Sequence, residues 1–268
     1  MCRSQLLAAT LLLTSSALVA SPSFATITTT GDVAGTGTPY AGQDPWNAQN
    51  LIIGNAAPGS MSIKNGSVVN DTTNGLLNRG FIAHTAAAST SSVLVDGTGS
   101  AWNTSGVIFV GENGNGTLDI TGGGSVNTAG AGMGLNTDSS GTLNVGGGSG
   151  LSTLNSSKGN RVGSNGTGAL NVTGGGSVNV FSPGGFFEIG PFGSGSGTVT
   201  VGGGIGVSTV SVPQGSITVG GDVDGGEGGV GVLNINTGGT VSAASLNIGG
   251  NAGTIVNFDG GTLSTPNI

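Results

Sequence analysis

Few side chains in this sequence could do chemistry, and they are scattered. The single histidine, His84, follows Phe81, Ile82 and Ala83, just past a predicted strand. A Ser-His-Asp constellation would have to use it, yet no nucleophile-elbow pattern accompanies it, and a loop residue is the simpler reading. Asp222, Asp224 and Glu227 lie in a run of glycines. Carboxylates on such a loop have the chemistry for Ca²⁺. Their spacing fits neither an EF-hand loop nor a Gly-Gly-x-Gly-x-Asp β-roll repeat, and a solvated acidic loop is the competing reading. One histidine and one cysteine, Cys2, cannot supply a zinc site. No catalytic residue, metal ligand or cofactor-binding residue is therefore assigned, and no cofactor is expected.

Sugar recognition has its own candidates. Trp46 and Trp102 have the flat faces that stack on sugars, with packing in a core or at a corner as the alternative. Phe186, Phe187 and Phe192 cluster near Pro183 and Pro191, where a loop packing on the fold competes with a partner-binding patch. GxGxxG-like strings arise by chance at this glycine density, and none opens a helix, so no phosphate loop is read. The sequon at Asn103-Thr104-Ser105 is equally expected from composition.

The elements that would position these residues emerge from an internal repeat. Gly116-Thr117-Leu118-Asp119-Ile120 recurs as Gly141-Thr142-Leu143-Asn144-Val145 and Gly168-Ala169-Leu170-Asn171-Val172. It recurs again at Gly197-Thr198-Val199-Thr200-Val201 and Gly231-Val232-Leu233-Asn234-Ile235, with weaker copies at 59–63 and 91–95. Strict alternation means strands with one buried face, so Leu118, Leu143, Leu170, Val199 and Leu233 should stack inward. The residues between them face outward and should form side-chain ladders; Leu94 breaks the polar rule. A last copy begins at Gly253 but reaches its second apolar position one residue late, at Phe258. Such a slip turns side chains to the wrong face, so a bulge or fraying is expected there.

Two further strand columns follow the same logic. Ile120-Thr121-Gly122-Gly123-Gly124-Ser125-Val126 and its near copy at 172–178 describe a glycine corner into a second strand, and 64–68 and 236–241 are shorter versions. A third column closes in glycine, as in Ile108-Phe109-Val110-Gly111 and Phe187-Glu188-Ile189-Gly190. Unit starts at 116, 141, 168, 197, 231 and 253 are unevenly spaced while the strand count holds, the mark of a solenoid with loops at its corners. The fold class expected is all-β: a parallel β-helix (β-solenoid) of Gly-rich repeats over 50–268, after an N-terminal lead-in or cap over 26–49, with no globular catalytic domain.

Composition bounds the partners. Residues 1–25 read as a secretory signal peptide, with Arg3 as its positive end, an apolar stretch from Leu6 to Val19, and small residues Ser23 and Ala25 before the cut. That stretch is roughly 14 residues, against about 20 for a membrane span. Arg3 is one of five basic residues; the remaining four against twelve acidic ones leave a net charge of −8. Such a chain is a poor partner for nucleic acid or anionic membranes. All 58 glycines follow the leader, and only 6% of residues are charged, where about 25% is usual. A disordered glycine-rich matrix is the rival to a folded rod, but its usual high charge is missing.

The stretch from Val95 to Gly111, with Gly99-Ser100-Ala101-Trp102, then Ser105-Gly106 and an apolar strand closing in Gly, resembles the autotransporter (type V secretion)/PEP-CTERM-associated repeat family. Gly114 to Val126 matches the second half of that pattern, and the resemblance extends over roughly 50–268. It implies a right-handed β-helix like an autotransporter passenger, in a bacterial protein secreted or held at the cell surface and outer envelope, with an adhesive or structural role and no catalytic residues. The chain shows neither the family's outer-membrane barrel nor its Pro-Glu-Pro sorting tail. The expected partners are a surface glycan or protein ligand and, through an uncovered end coil, further copies end to end. The alternative is a carbohydrate-active enzyme or carbohydrate-binding module on a β-helix. Such enzymes gather several carboxylates on one face, whereas Asp119 heads a column of neutral residues.

Overall fold

The computed structural model describes residues 25–36, 44–71, 79–221 and 228–268. The leader, apart from Ala25, and the acidic group Asp222, Asp224 and Glu227 lie outside the described residues. The chain forms a β-solenoid of about seven turns. Each turn contributes one strand to each of three columns.

The first column stacks Gly59–Lys64, Ser91–Asp96, Asn115–Thr121, Ser140–Val145, Thr167–Val172, Ser196–Val201, Val230–Asn236 and Ile255–Asp259, all parallel. Register is carried from coil to coil: Val93 pairs with Leu118, Leu118 with Leu143, Leu143 with Leu170, Leu170 with Val199, and Val199 with Leu233. These residues and the apolar ones two positions on are sealed from solvent. Each buried aliphatic side chain is worth about 1.5–3 kcal/mol of transfer free energy, and a single coil could not bury its own.

The second and third columns share one sheet, because several strands run through the corner between them. Ser125–Met133, Thr153–Val162, Ser208–Val219 and Gly239–Ile248 supply both; elsewhere separate strands do, such as Ala101–Thr104 with Val107–Val110. The inward residue of the second column is Val69 rather than Val68, since Val69 pairs with both Trp46 and Trp102. The third column includes two coils that lack a full apolar pattern: at 130–133 Ala131 and Met133 face inward between glycines, and at 159–162 Val162 is joined inward by Asn160. Among the described residues the one helical element is a 3₁₀ turn, Ala86–Ala88, and no helix is long and apolar enough to cross a membrane.

The last coil corrects the expected slip. Val256 pairs with Leu233 and Phe258 with Ile235, in unbroken register. Thr254 takes the place of the leading glycine, and Gly253 belongs to the turn before it. Phe258 is nonetheless 55% exposed, because no described coil covers it, and Ile255, 46% exposed, takes the outward position of Val232. At the other end the lead-in is a cap. Thr26–Gly31 runs antiparallel to Gly59–Lys64, and Val33–Thr36 antiparallel to Trp46–Ile53, which itself opens the first coil. Asp32, between the cap strands, accepts backbone N–H bonds from Asn55, Ala56 and Ala57 at 3.0, 2.6 and 3.2 Å. Those bonds hold its carboxyl below the usual range.

Glycine has two distinct jobs at the corner from the third column to the first. Gly134 turns it at φ +64° and donates its N–H to the Val110 carbonyl of the preceding coil at 3.0 Å. Gly141, opening the next strand, lies so close to that coil that a Cβ would meet the same carbonyl oxygen at 1.9 Å. The Gly141→Ala chain is expected to lose at least about 2 kcal/mol in urea unfolding, from overpacking against backbone. Gly250→Ala, whose Cβ would meet nothing within 4 Å, should change stability by less than about 0.5 kcal/mol.

Candidate functional site

Most residues singled out for chemistry are absorbed into the scaffold. Trp46 and Trp102 point inward in one column, 2% and 0% exposed, so neither is a sugar platform. The strict alternation beside Trp102 sends its ring into the core. Asp119 heads the outward ladder of the first column: its Oδ1 accepts from Asn144 Nδ2 at 2.7 Å, and Asn144 Oδ1 accepts from Asn171 Nδ2 at 2.8 Å. Leu94 ends that ladder on the other side of Asp119, facing outward as expected.

The second column carries a longer ladder. Asn70 donates to Asn47, Asn103 to Asn70, Asn127 to Asn103, Asn155 to Asn127 and Asn179 to Asn155, at 2.7 to 3.1 Å. Carboxamides suit this stacking because each both donates and accepts; identical charges at one-coil spacing would repel.

His84 shares a hydrogen bond between Nδ1 and Glu112 Oε2, and its ring lies 4.5 Å from that of Phe81. No serine is bonded to it among the described residues, so the pair is an oriented imidazole without a nucleophile. Among the described residues, no three His, Cys, Asp or Glu side chains converge as a metal would need.

One carboxyl group is anomalous. Asp71 faces inward at the corner of the second and third columns, in register with Ala48 and Thr104, and is fully buried. Burial pushes its pKa up to about 6; the backbone N–H groups of Leu51 and Asn50 pull the other way, at geometries short of full hydrogen bonds. Trp102 Nε1 is likewise buried without a partner.

The outer side of the third column holds the feature that sequence reading missed. Arg79, Lys158 and Arg161 are three of the chain's five basic residues, and they line one trough of about 310 Å³. Its floor is the coil at 130–133, where Gly130 and Gly132 project no side chain. One wall carries Phe109, with the Arg79 guanidinium 5.4 Å over its ring. The opposite wall carries Arg161, whose guanidinium lies 4.7 Å from the Phe186 ring and 5.5 Å from that of Phe192. Arg161 Nε donates to Glu188 Oε2 at 2.5 Å, and Glu188 is fully buried. Phe187, between these residues in sequence, turns into the core. The phenylalanine cluster is thus divided between core and trough wall. The signal that could have found the trough was the scarcity of basic residues, but only the coil spacing brings positions 79, 158 and 161 together.

Comparison with protein-family models, with curated proteins and with solved structures gives no match.

Asp71 sets a pH dependence. Its folded-state pKa lies above the ordinary 3.8, so between about 4 and 6 the native state keeps a proton that the unfolded chain has lost. Stability falls as pH rises through that window and stays at the lower value above it, a change on the order of 1–3 kcal/mol. Asp32 acts oppositely, and its contribution is lost on acidification below its ordinary pKa. Thermal melts of Asp71→Asn are expected to show a higher Tm than wild type above pH 6, and no decline between pH 4 and 6.

Proposed function

We propose that this chain is an exported, non-catalytic rod of the bacterial cell surface or extracellular space, with a structural and adhesive role. Its kind is that of the autotransporter passengers and PEP-CTERM-associated repeats that its sequence resembles. The observation that carries this reading is the fate of the outward polar side chains. They bond to one another along the rod axis instead of converging on a reactive centre. A scaffold built this way holds its corners and faces at fixed spacing, which is what display at a surface requires. The leader-like residues 1–25 and the acidic balance support export. The carbohydrate-active alternative keeps one favourable observation, the basic and aromatic trough, and that observation favours binding over turnover.

Self-association belongs to the same reading. One end of the stack carries antiparallel strands, and the other presents the edge of Ile255–Asp259, unpaired among the described residues, with Ile255 and Phe258 exposed. Exposed strand edges recruit further strands. Association through this edge alone gives pairs rather than long chains. Sedimentation velocity at high concentration is expected to show a dimer that Phe258→Asp returns to monomer; open-ended polymers, or a dimer unmoved by the substitution, would refute this.

Expression of the full chain in a Gram-negative host is expected to place it outside the cytoplasm, cut after Ala25, and to make the cells adhere to polysaccharide-coated surfaces. An unprocessed cytoplasmic chain, or polysaccharide turnover abolished by Asp119→Asn, would overturn the proposal.

A further inference from the structure

The trough on the third face is chemically unlike the rest of the molecule. The chain's net charge is −7, yet three of its cations meet here and no Asp or Glu lines the depression. Among the described residues, Arg79 and Lys158 have no acidic partner within salt-bridge distance, while Arg161 is paired with Glu188. That pairing uses Nε alone, leaving the two terminal amino groups of the guanidinium as donors. Glu188, sealed beneath, and the flanking rings of Phe186 and Phe192 fix the plane in which those donors point. Two arginines held over aromatic faces and one lysine on a flexible stem make a site for carboxylate or another anion. Solvation alone does not explain it, because the arginines are oriented by aromatic contacts.

The shape names the ligand further. The trough is open and continues around the corner to the second face. A second depression of about 330 Å³ shares Ala129 with it and is lined by Asn127, Asn155 and Ser157, with Phe181, 56% exposed, beside them. One stretch of surface thus offers cations, then carboxamide and hydroxyl groups, then an open aromatic face. The cations of the first part sit on two coils, Arg79 on one and Lys158 with Arg161 three coils further on, so they span roughly 14 Å of rod at about 4.8 Å per coil. A single small anion cannot engage such a spread. A chain of acidic sugars carries a repeated carboxylate, hydroxyl groups and apolar ring faces, which match these parts in kind. Nucleic acid fits less well, since its binding draws on many phosphate contacts, which the chain's net negative charge opposes.

We propose that this continuous trough binds an acidic polysaccharide, with Arg79, Lys158 and Arg161 engaging its carboxylates, and the Asn127, Asn155 and Phe181 side receiving the neighbouring sugars. The assignment rests on the adhesive reading for what binding achieves, and on the trough alone for the binding itself.

Calorimetry on the purified chain with polygalacturonate, dextran and a poly-dT oligonucleotide tests it. Polygalacturonate should bind, more weakly as salt is raised, and dextran should not. The double substitution Arg79→Gln/Lys158→Gln removes two cations that have no acidic partner among the described residues, and circular dichroism should show its fold unchanged. It should weaken binding by at least about tenfold, a loss expected for charge-assisted contacts. Lys64→Gln, removing a basic residue from the first face, should leave affinity within about twofold, as for a surface charge remote from the site. Absence of binding by the folded wild type, equal retention of dextran, an equal loss in Lys64→Gln, or tighter binding of poly-dT would each overturn the assignment. A chain that stays cytoplasmic yet binds polygalacturonate through these residues defeats only the surface role. A displayed, adhesive chain that ignores polygalacturonate defeats only the trough.

Discussion

Backbone meets backbone at every corner of this rod, and the remaining structure depends on that approach. At the junction of the third and first columns, the N–H of Gly111, Gly134, Gly163, Gly190 or Gly220 reaches a carbonyl of the coil before, at 2.7 to 3.0 Å. A side chain interposed there would force the coils apart, breaking the strand ladder and opening the core together. The two stabilising terms are therefore not independent: ladder bonds fix the coil spacing, and that spacing lets Leu118, Leu143 and Leu170 touch. This is why glycine, poor for ordinary strand interiors, dominates a molecule made almost wholly of strands.

The same spacing governs polar chemistry on the outside. Residues at equivalent positions of neighbouring coils are stacked whether or not they attract one another. Asparagine resolves this by donating to the coil before it and accepting from the coil after it, and the sequence keeps charge to 6% of its residues. Three carboxyl groups are matched or set apart: Asp119 is a terminal acceptor, Glu188 lies under Arg161, and Asp71 is held where its proton is retained up to about pH 6.

What the sequence made legible follows from how strictly each segment alternates. The first column could be read residue by residue, because one apolar face repeats with period two and each copy opens at the same small residue. The ladders followed from the same alternation. The third column was readable at Ile108 and Phe187 and invisible at 130–133 and 159–162, where glycine, asparagine and arginine replace the outward or inward apolar residues. The last coil was misread because Gly253, in the turn, was aligned with glycines that open strands; register is set by Val256 and Phe258, which meet their partners in the preceding coil. Asp71 is not marked out in the sequence, since nothing local shows that the corner turns it inward. The trough could not be read at all, as its walls come from coils about fifty residues apart along the chain and its floor is defined by side chains that are missing.

The antiparallel cap gives the rod a direction of assembly. Each coil inherits its register from the surface beneath it, so the first strand laid against the cap works as a template for all that follow. A chain emerging amino-terminus first would complete its template before any coil needs it, and could then wind forward one layer at a time. Gain or loss of one whole layer by gene duplication or deletion would change the rod's length and leave the alignment of every other layer intact.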